Sequence, residues 1–545
     1  MNAHSTISTS DSVVGVLADH AERFGDRTFL VDVEQSWTYS EVQNLARCHA
    51  GALAELGVGR GDTVAFYLEN SARQAIVSLG VNLLGAIWSP ANIDYRGEWL
   101  ASNLKDIRSD VLVVDAHLMP RVAELRDVSF KHVIVNGAEP AEVEALPGAT
   151  MHSFSLLDEH EPFAHDVAQH VGQTTAVLWT SGTTGKSKGV MQSNRTWLLW
   201  GRRHNEVYRG GVHEGERFYG CTPMYNSGGW IANVYPALLS GLTACIDKKF
   251  SVTDFWDRLR FYGANHAMTL GTMHLYLWNA PPRPDDADNP LRTLLMNPVI
   301  PQILDPFLAR FGVERVFGGF GQSEIMGVTT YHSAMPGLKP GSCGYVLADD
   351  PVETVLLDDE DRPVATGEVG EICVRPREPF AVFSGYFNQP EETLATFKNM
   401  WHHTGDLARV DEDNELFFVD RKKDSVRHKG RNTSTFEVEH IVRQFPTVAH
   451  VAAIGVKLKE LEFEEELKLC VVATEGATID PMELCAFIDE KAPYFFVPRY
   501  IEVLDELPMT PTNKVQKFKL RERGLTPQTW DREIEAPEWK PTRHR

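Results

Sequence analysis

Short apolar runs alternate with amphipathic stretches along most of the chain. Val111 to Asp115, His132 to Asn136 and Ala176 to Thr180 are apolar and of strand length, and they predict buried strands. The stretch from Ser251 to Gly263 starts with a residue suited to a helix cap, has apolar residues near the helical period, and ends on Gly, so it predicts a helix. This alternation of strand and helix predicts layered α/β structure with parallel sheet.

The pattern changes near Asp359. Gly367 to Pro376 and Glu415 to Gly430 are typical of short strands joined by polar turns. The charged run Asp420 to Lys423 is interpreted as the joint between two domains, although a solvated turn would carry the same charges. Four later segments predict helix, strand, helix and strand, the content of a small α+β domain: TFEVEHIVRQFP, LKLCVVAT, DPMELCAFIDEKAP and RYIEVLDELP.

One uncharged segment, Gln74 to Ile93, is long enough to be considered as a membrane span. It contains Gln, Asn, Ser, Gly and Pro and has no second copy, so we interpret it as a buried helix followed by a strand. The N-terminal residues MNAHSTISTSDS carry no cationic and apolar signal. We therefore expect a cytoplasmic protein without a membrane span.

Composition and charge narrow the function further. The 545 residues are 43% hydrophobic and 23% charged, as in a globular enzyme. A formal net charge of -22 argues against broad nucleic-acid binding, but it leaves room for a local phosphate site built from backbone N–H groups and Lys. The seven cysteines are far apart and form no CxxC pair, which favours free thiols in a reducing compartment.

A loop rich in Gly, Thr, Ser and Lys follows the apolar run that ends at Thr180, in the stretch AVLWTSGTTGKSKGVMQSN. It ends like a Walker A loop, with Lys186 after Gly185, but the position that must hold the first Gly of that motif is Thr180. The hydroxyls, glycines and lysines can still surround an anion. A phosphate site and a plain surface turn both remain open from the loop alone.

Three further motifs carry candidate chemistry. Gly318 to Glu324, GGFGQSE, offers a ring to stack on a purine and a carboxylate to hold Mg²⁺. Asp406, after a Thr-Gly turn, could accept hydrogen bonds from a ribose diol. The neighbouring His402 and His403 are not expected to bind a metal, because adjacent side chains diverge and no Cys or carboxylate cluster in the sequence supports them. Leu507 to Lys517 places a Lys in a turn rich in Thr and Pro.

In this order and at these separations, the four motifs resemble those of the adenylate-forming superfamily of acyl-CoA synthetases, firefly luciferase and peptide-synthetase adenylation domains. The resemblance covers nearly the whole chain and includes Gly85 to Leu100, Lys339 to Tyr345 and Phe383 to Thr393. The closing stretch from Ala492 to Leu520 looks most like crotonobetaine/carnitine–CoA ligases and related acid–CoA ligases.

The resemblance implies a fold and a domain division. It implies a large N-terminal domain, residues 1–422, of layered α/β subdomains with a small β-barrel-like part. A small, mobile α+β C-terminal domain, residues 423–545, would follow, with a hinge at Lys423. Rotation about this hinge would remove Lys514 and bring in a loop whose Gly430 lines the tunnel for the thiol arm of coenzyme A.

The resemblance also implies the reaction and its residues. An acid and ATP would give acyl-AMP and pyrophosphate, and coenzyme A as co-substrate would then give acyl-CoA and AMP. Lys514 would bridge the acid and the α-phosphate, Glu324 would ligate Mg²⁺, and Ser323 would lie by the α-phosphate. The residues implied for the phosphates are Thr180, Ser181, Gly182, Thr183, Thr184 and Lys188. Those implied for adenine and ribose are Gly319, Phe320, Gly321, Gln322, Asp406 and Arg421.

The acid pocket is the least specific part of the resemblance. By position, its lining would include Tyr225, Asn226, Trp230, Thr269, Gly271 and Met326. Many relatives have His or an aromatic residue where Asn226 stands, so the pocket is expected to be roomier and adenylation to be weaker. The glycines nearby are consistent with a bulky acid and equally with tight backbone packing: Gly228, Gly229, Gly271, Gly318 and Gly319.

Three functions remain open at this point. The first is an ATP-dependent acid–CoA ligase. The second is an enzyme of the same fold that thioesterifies a preformed acyl-AMP and adenylates poorly, and the third is a non-catalytic nucleotide-binding regulator. The sequence names neither the acid nor the oligomeric state, of which a homodimer is one alternative, nor does it decide between coenzyme A and a carrier thiol as acceptor.

Overall fold

A computed structural model describes residues 10–165, 167–180, 187–271, 273–421, 425–428, 431–458, 461–509, 515 and 517–542. Several predicted positions lie outside these residues: Ser181, Gly182, Thr183, Thr184, the hinge residue Lys423, Gly430 and Lys514. The domain boundary predicted between residues 422 and 423 also lies outside them.

The described residues contain strands throughout the chain. In chain order they are β1 (Thr28–Val31), β2 (Ser36–Thr38), β3 (Thr63–Tyr67), β4 (Ile87–Pro90), β5 (Val111–Asp115), β6 (His132–Asn136), β7 (Thr150–Ser153), β8 (Thr174–Thr180), β9 (Lys188–Ser193), β10 (Arg217–Gly220), β11 (Thr243–Ile246), β12 (His266–Leu270), β13 (Thr293–Asn297), β14 (Arg315–Gly318), β15 (Tyr331–His332), β16 (Ser342–Tyr345), β17 (Val352–Leu357), β18 (Gly370–Pro376), β19 (Phe397–Lys398), β20 (Trp401–Val410), β21 (Glu415–Arg421), β22 (Ser425–His428), β23 (Arg431–Ser434), β24 (Val448–Leu458), β25 (Leu461–Ala473), β26 (Tyr500–Val503) and β27 (Trp530–Asp531).

Helices alternate with these strands. They are α1 (Val13–Phe24), α2 (Tyr39–Glu55), α3 (Ala72–Leu83), α4 (Gly97–Ile107), α5 (Met119–Ala123), α6 (Ser155–Asp158), α7 (Asn194–Arg203), α8 (Ser227–Gly229), α9 (Tyr235–Ser240), α10 (Phe255–Tyr262), α11 (Met273–Asn279), α12 (Pro301–Phe311), α13 (Pro390–Thr396), α14 (Thr435–Val442), α15 (Pro481–Lys491), α16 (Lys517–Arg523) and α17 (Arg532–Glu535).

Two sheets that are mostly parallel form the framework. The first has seven strands in the order β7-β6-β5-β3-β4-β8-β9, and only β9 runs antiparallel to its neighbour. The second has eight strands in the order β15-β14-β13-β12-β10-β11-β1-β2, antiparallel at both edges. The parallel α/β structure expected from the alternation of strands and helices is therefore confirmed.

Helices cover both faces of the eight-stranded sheet. One large buried cluster joins residues of both sheets to helices such as α2, α3, α7 and α9, with Trp88, Trp197 and Phe218 among its members. A second cluster packs the same sheet against α10 and α12, through Trp256 and Phe307. These layers hold the carboxyl ends of the parallel strands in fixed positions, and ligands of open α/β sheets bind at such ends.

A smaller antiparallel sheet has the order β16-β21-β20-β18-β17, with β19 also paired to β20. It contains the short strands predicted after Asp359, and it corresponds to the part expected to be barrel-like. Among the described residues its strand order has two ends, so it is an open sheet.

The chain divides into two compact units. The first contains residues up to Ile93, Ala101–Thr180 and Lys188–Asp420, and the second contains Asp94–Leu100 and the described residues from Arg421 onward. In the second unit, β24-β25-β26-β27 form a sheet whose apolar core includes residues of α14 and α15. The predicted helix, strand, helix and strand are confirmed as α14, β25, α15 and β26.

Two local predictions can be compared directly with the structure. The uncharged segment Gln74 to Ile93 forms most of α3 and then β4, both largely buried, as interpreted from its composition. Within the described residues, no helix is sufficiently long and apolar to cross a membrane. The helix predicted from Ser251 begins later, at Phe255, and ends as expected at Gly263, which has a left-handed φ of 61°.

Candidate active site

Two motifs of the candidate site follow the carboxyl ends of strands, one strand in each of the two large sheets. Strand β8 ends at Thr180, where the candidate phosphate loop begins, and β14 ends at Gly318, where GGFGQSE begins. The Thr180 hydroxyl lies 3.4 Å from the carbonyl oxygen of Lys188, its partner on the antiparallel strand β9. The two ends of the loop are therefore fixed side by side, while residues 181–186 lie outside the described residues.

Close backbone packing explains two of the glycines at the end of β14. A Cβ on Gly318 would lie 2.3 Å from the carbonyl oxygen of Met296, and one on Gly319 would lie 2.0 Å from that of Thr329. Both distances are far below any real contact. At these two positions the structure supports the alternative of tight packing over that of space for a bulky acid.

The remainder of GGFGQSE forms a tight turn. The N–H of Phe320 donates to Thr329 Oγ1 at 2.8 Å, and the backbones of Gln322 and Ile325 exchange hydrogen bonds of 2.8 and 3.0 Å. Ser323 and Glu324 occupy the tip between the last two residues. A Cβ on Gly321 would lie 3.0 Å from a backbone oxygen, so this turn is also closely packed.

Glu324 is 9% exposed and accepts a 2.8 Å hydrogen bond at Oε1 from the Tyr386 hydroxyl. Burial and the nearby Glu324 carboxylate raise the pKa of Tyr386, so the phenol stays a donor. Backbone hydrogen bonds between β9 and the segment around Tyr386 hold this residue beside Lys188, whose Nζ lies 4.7 Å from the tyrosine ring and 2.7 Å from Glu392. A predicted metal ligand and a predicted phosphate ligand thus share one aromatic neighbour.

Ser323 is held by two other elements. Its carbonyl oxygen accepts a hydrogen bond from the Gln192 side chain of β9, and its hydroxyl lies 3.5 Å from that of Ser227. Because Ser227 begins α8, the turn that carries Glu324 is linked to the loop that carries Asn226.

Asp406 is fully buried, and its Oδ2 accepts a 2.5 Å hydrogen bond from Gln322 Nε2. The same amide nitrogen donates to the carbonyl oxygen of Thr404 at 3.1 Å. Two motifs about eighty residues apart in sequence are therefore joined through one side chain. The side chain of Arg421, predicted to bind the ribose, lies outside the described part of the structure.

The loop that precedes α8 places the first residues predicted for the acid pocket. Asn226 is exposed, and Tyr225 is buried. Asn70 fixes this loop, because its amide nitrogen donates to the carbonyl oxygens of Thr222 and Asp247 and its amide oxygen accepts from the N–H of Met224. Asn70 was not predicted from the sequence, because it lies about 150 residues away and carries no local signal.

Other predicted pocket residues have mixed environments. Trp230 is 1% exposed and lies between Trp88 and Tyr235, at ring-centroid distances of 4.3 and 5.6 Å. It begins a π-helical turn, a local irregularity that is frequent at functional sites. Met326 is partly buried against the main core.

Thr269 and Gly271 lie at the end of β12. Thr269 is fully buried, and its hydroxyl has no hydrogen-bond partner among the described residues. Gly271 has a φ of 54° and donates to the carbonyl oxygen of Asn297 at 2.8 Å, so a left-handed turn accounts for this glycine.

Donor groups that the sequence did not place near His403 lie beside it in the structure. Glu371 and Cys373, on the neighbouring strand β18, lie with His403 so that their donor atoms are all within 4.8 Å of one another. His402 differs: it packs against Phe383 and Phe397, and burial lowers its pKa to about 3. The cluster could not be predicted from the sequence, because it depends on the register between two strands.

A second group of metal-type donors in the described residues is Glu69, Asp115 and His117, at the carboxyl end of the seven-stranded sheet. Both Asp115 oxygens already accept hydrogen bonds, from the N–H of Glu69 and the side chain of Asn136. Glu324 also accepts a hydrogen bond, at Oε1, but its carboxylate lies beside the predicted phosphate ligands, and oxygen is the donor that Mg²⁺ prefers. Of these carboxylate donors, Glu324 is therefore the better fit for Mg²⁺.

Comparison with known proteins places the chain in a family. The family profile of the AMP-binding enzymes matches residues 17–387, and that of the AMP-binding enzyme C-terminal domain matches residues 437–514. The crotonobetaine/carnitine–CoA ligase of Salmonella typhi is 27% identical over 515 residues, which cover 92% of this chain and 97% of that protein.

Solved structures show the same fold. The amide bond synthetase McbA from Marinactinospora thermotolerans has a TM-score of 0.78 at 23% identity, covering 94% of this chain and 99% of that one. A double mutant of the o-succinylbenzoate CoA synthetase MenE from Bacillus subtilis has a TM-score of 0.77 at 24% identity, covering 93% and 98%. The chain therefore belongs to the family of AMP-binding enzymes, and its resemblance to the adenylate-forming superfamily is confirmed.

Proposed function

We propose that the protein is an ATP-dependent acid–CoA ligase. The observation that carries the proposal is the joining of the two nucleotide motifs by the Gln322–Asp406 hydrogen bond, beside a turn that presents Ser323 and Glu324. The name of the Salmonella relative, a CoA ligase similar along 92% of this chain, supports coenzyme A as the acceptor.

The first half-reaction forms a mixed anhydride. A carboxylate oxygen of the acid attacks the α-phosphorus of ATP, the bond to the β-phosphate oxygen breaks, and acyl-AMP and pyrophosphate result. Asp406 would hold the ribose, Phe320 would flank the adenine, and Ser323 would lie by the α-phosphate. Mg²⁺ held by Glu324 would neutralise charge on the phosphates.

The phosphate cradle would receive the leaving pyrophosphate. Lys188 is the lysine assigned to this cradle. Its Nζ lies 2.7 Å from a carboxylate oxygen of Glu392. Phosphate binding would exchange this contact for one with the β- or γ-phosphate. By resemblance, Lys514 would stabilise the charge that develops between the acid and the α-phosphate, an electrostatic role without proton transfer.

The second half-reaction transfers the acyl group to a thiol. The sulfur of coenzyme A attacks the acyl carbonyl, AMP leaves, and the thiol proton is released to solvent. The proposal includes a hinge at Lys423, rotation of the C-terminal domain between the half-reactions, and a thiol tunnel lined by Gly430. These three assignments rest on the resemblance.

A single assay series tests the proposal. Pyrophosphate release is measured with ATP, Mg²⁺ and a panel of acids (betaine-type, aliphatic, aromatic and steroid), and AMP and thioester are then measured after addition of coenzyme A. We expect pyrophosphate release with at least one acid and thioester formation with the same acid. Lys514→Ala should abolish release. Absence of release with every acid would overturn the ligase assignment.

Asn226, which stands where many relatives have His or an aromatic residue, favours one alternative, an enzyme that acts mainly on preformed acyl-AMP. Synthetic acyl-AMP supplied with coenzyme A distinguishes the two functions. Rapid thioester formation from acyl-AMP, combined with slow pyrophosphate release, would support this alternative. An amine supplied in place of coenzyme A tests amide formation, the activity in the name of one structural neighbour.

A further inference from the structure

The Thr404-Gly405-Asp406 segment is an irregular insertion in a regular sheet. Strands β18 and β20 pair Glu371 with Leu407 and Cys373 with His403. Three residues, Thr404 to Asp406, therefore lie opposite the single residue Ile372. Such a bulge redirects the side chains that it carries and is frequent next to active sites. Here it carries Asp406, the residue proposed to hold the ribose.

Side chains hold this bulge in place. The Thr404 hydroxyl donates to the carbonyl oxygen of Ile372 at 2.8 Å and accepts from the N–H of Asp406 at 3.1 Å. Gly405 has a φ of 76°, and its N–H donates to Oε1 of Glu371 at 3.0 Å. The Glu371 carboxylate therefore holds the backbone of the bulge at Gly405, the residue immediately before Asp406.

Glu371 is itself held by its neighbours. Its Oε2 lies 3.0 Å from Nδ1 of His403, and Cys373 Sγ lies 3.4 Å from the same nitrogen. An ionised carboxylate can only accept, so an ionised Glu371 requires the ring proton of His403 on Nδ1. On the other side of the ring, Nε2 lies 3.6 Å from a carboxylate oxygen of Asp361. Glu371, Cys373 and His403 are all at least 90% buried, so these contacts form in a medium that strengthens them.

We propose that Glu371 is a positioning residue for nucleotide binding: with His403 it fixes the bulge at Gly405, and through the bulge it sets the orientation of Asp406 toward the ribose. This inference rests on the proposed function, because it takes the ribose as the ligand of Asp406. The cluster could instead hold a thiophilic metal. The hydrogen bonds favour positioning, since Glu371 and Cys373 both converge on one nitrogen and Glu371 also accepts from the backbone.

The test compares the binding of AMP with that of 2′,3′-dideoxy-AMP, which lacks the ribose diol. The wild-type enzyme should bind AMP more tightly. Glu371→Ala should weaken AMP binding about tenfold, the usual effect of losing a buried charged hydrogen bond, and should change dideoxy-AMP binding less than twofold. A general structural defect would weaken both ligands equally, and that result would overturn the inference.

Two further variants keep the test decisive if Glu371→Ala does not fold. Glu371→Gln retains an acceptor for Gly405 and should lose less discrimination than His403→Gln, which leaves the carboxylate without its partner. Unchanged discrimination in both variants would overturn the inference. The matched control is Glu353→Gln, in the same sheet, whose ion pair with Arg375 is partly exposed to solvent and should not affect either ligand.

Asp406→Asn separates failure of this inference from failure of the proposed function. If this variant still discriminates between the two ligands, the ribose contact that the proposed function assigns to Asp406 fails. If it loses discrimination while the Glu371 variants keep it, only the positioning role fails. Metal analysis completes the test: one equivalent of zinc that Cys373→Ser removes would overturn positioning by hydrogen bonds alone.

Discussion

The hydroxyl of Tyr386 donates a 2.8 Å hydrogen bond to Oε1 of the buried Glu324 carboxylate. This contact orients the residue that we propose to ligate Mg²⁺, and it comes from a segment held against β9 by backbone hydrogen bonds. Orientation of a metal ligand by a neighbouring donor commonly has a measurable effect on metal affinity.

Tyr386→Phe should therefore raise the Mg²⁺ concentration needed for half-maximal pyrophosphate release by about tenfold, as outer-shell changes commonly do. The ring remains in place for Lys188, so saturating Mg²⁺ should restore most of the rate. The measurement is pyrophosphate release across a Mg²⁺ titration. Tyr276→Phe, at a residue 47% exposed, is the control, and an unchanged Mg²⁺ dependence of Tyr386→Phe would contradict the role assigned to the hydrogen bond.

Gly319→Ala should strongly destabilise the fold. Its Cβ would lie 2.0 Å from the carbonyl oxygen of Thr329, so two backbone segments must separate. We expect the free energy of unfolding to fall by about 3 kcal/mol or more, at the upper end for overpacked sites. The readouts are a lower Tm and loss of adenylation. Gly337→Ala is the control, because a Cβ there has no neighbour within 4 Å. Equal Tm values for the two variants would refute this packing.

Burial of His402 predicts acid sensitivity. Its pKa is lowered from 6.5 to about 3, so the folded state binds fewer protons than the unfolded state between these values. Its contribution to stability is complete above about pH 6.5 and falls as the pH decreases, by about 1.4 kcal/mol per pH unit, until about pH 3.

His402→Leu should remove this contribution. As the pH is lowered from 7 to 4, the Tm of the wild type should therefore fall more than the Tm of His402→Leu. His117→Leu, at an exposed histidine, is the control. Parallel Tm curves for wild type and His402→Leu would show that His402 is not the group responsible.

Asn226→His should narrow the range of acids. The Asn226 side chain is exposed at the start of α8, on a loop whose backbone Asn70 holds, so a larger ring would fill space without moving the loop. We expect kcat/KM for the bulkiest accepted acid to fall relative to that for the smallest, by about tenfold, the effect of one or two methylene-sized contacts. The measurement is pyrophosphate release with both acids. An unchanged ratio of the two kcat/KM values would show that the acid does not bind beside Asn226.

Much of the fold follows from local patterns. Val111 to Asp115 and His132 to Asn136 form strands with the predicted bounds, because these apolar runs have the length of a strand and are too short for a typical helix. The start of α10 was wrong by four residues: Ser251 and Thr253 direct their hydroxyls to the Asp254 carboxylate in a turn before the helix begins. Local side-chain hydrogen bonds of this kind compete with helix formation.

The candidate site was predictable only in part. The motifs of Glu324 and Asp406 offer Gly, hydroxyl or carboxylate groups, but the roles of the two residues were assigned by resemblance. Gln322 was placed with the nucleotide by resemblance, but its bond to Asp406 required the three-dimensional structure. Asn70 and the partners of His403 were missed, since they depend on strand register and on contacts across long stretches of sequence.

The hydrogen bonds by which Asn70 holds the loop before α8 have a consequence for redesign of the enzyme. One amide pins the backbone on both sides of Pro223, independently of the side chains that follow. Libraries at positions 225 and 226 can therefore be screened for new acids on a fixed scaffold, with Asn70 kept constant. Variation of Asn70 itself would confound every library member, because loop position and side-chain chemistry would then change together.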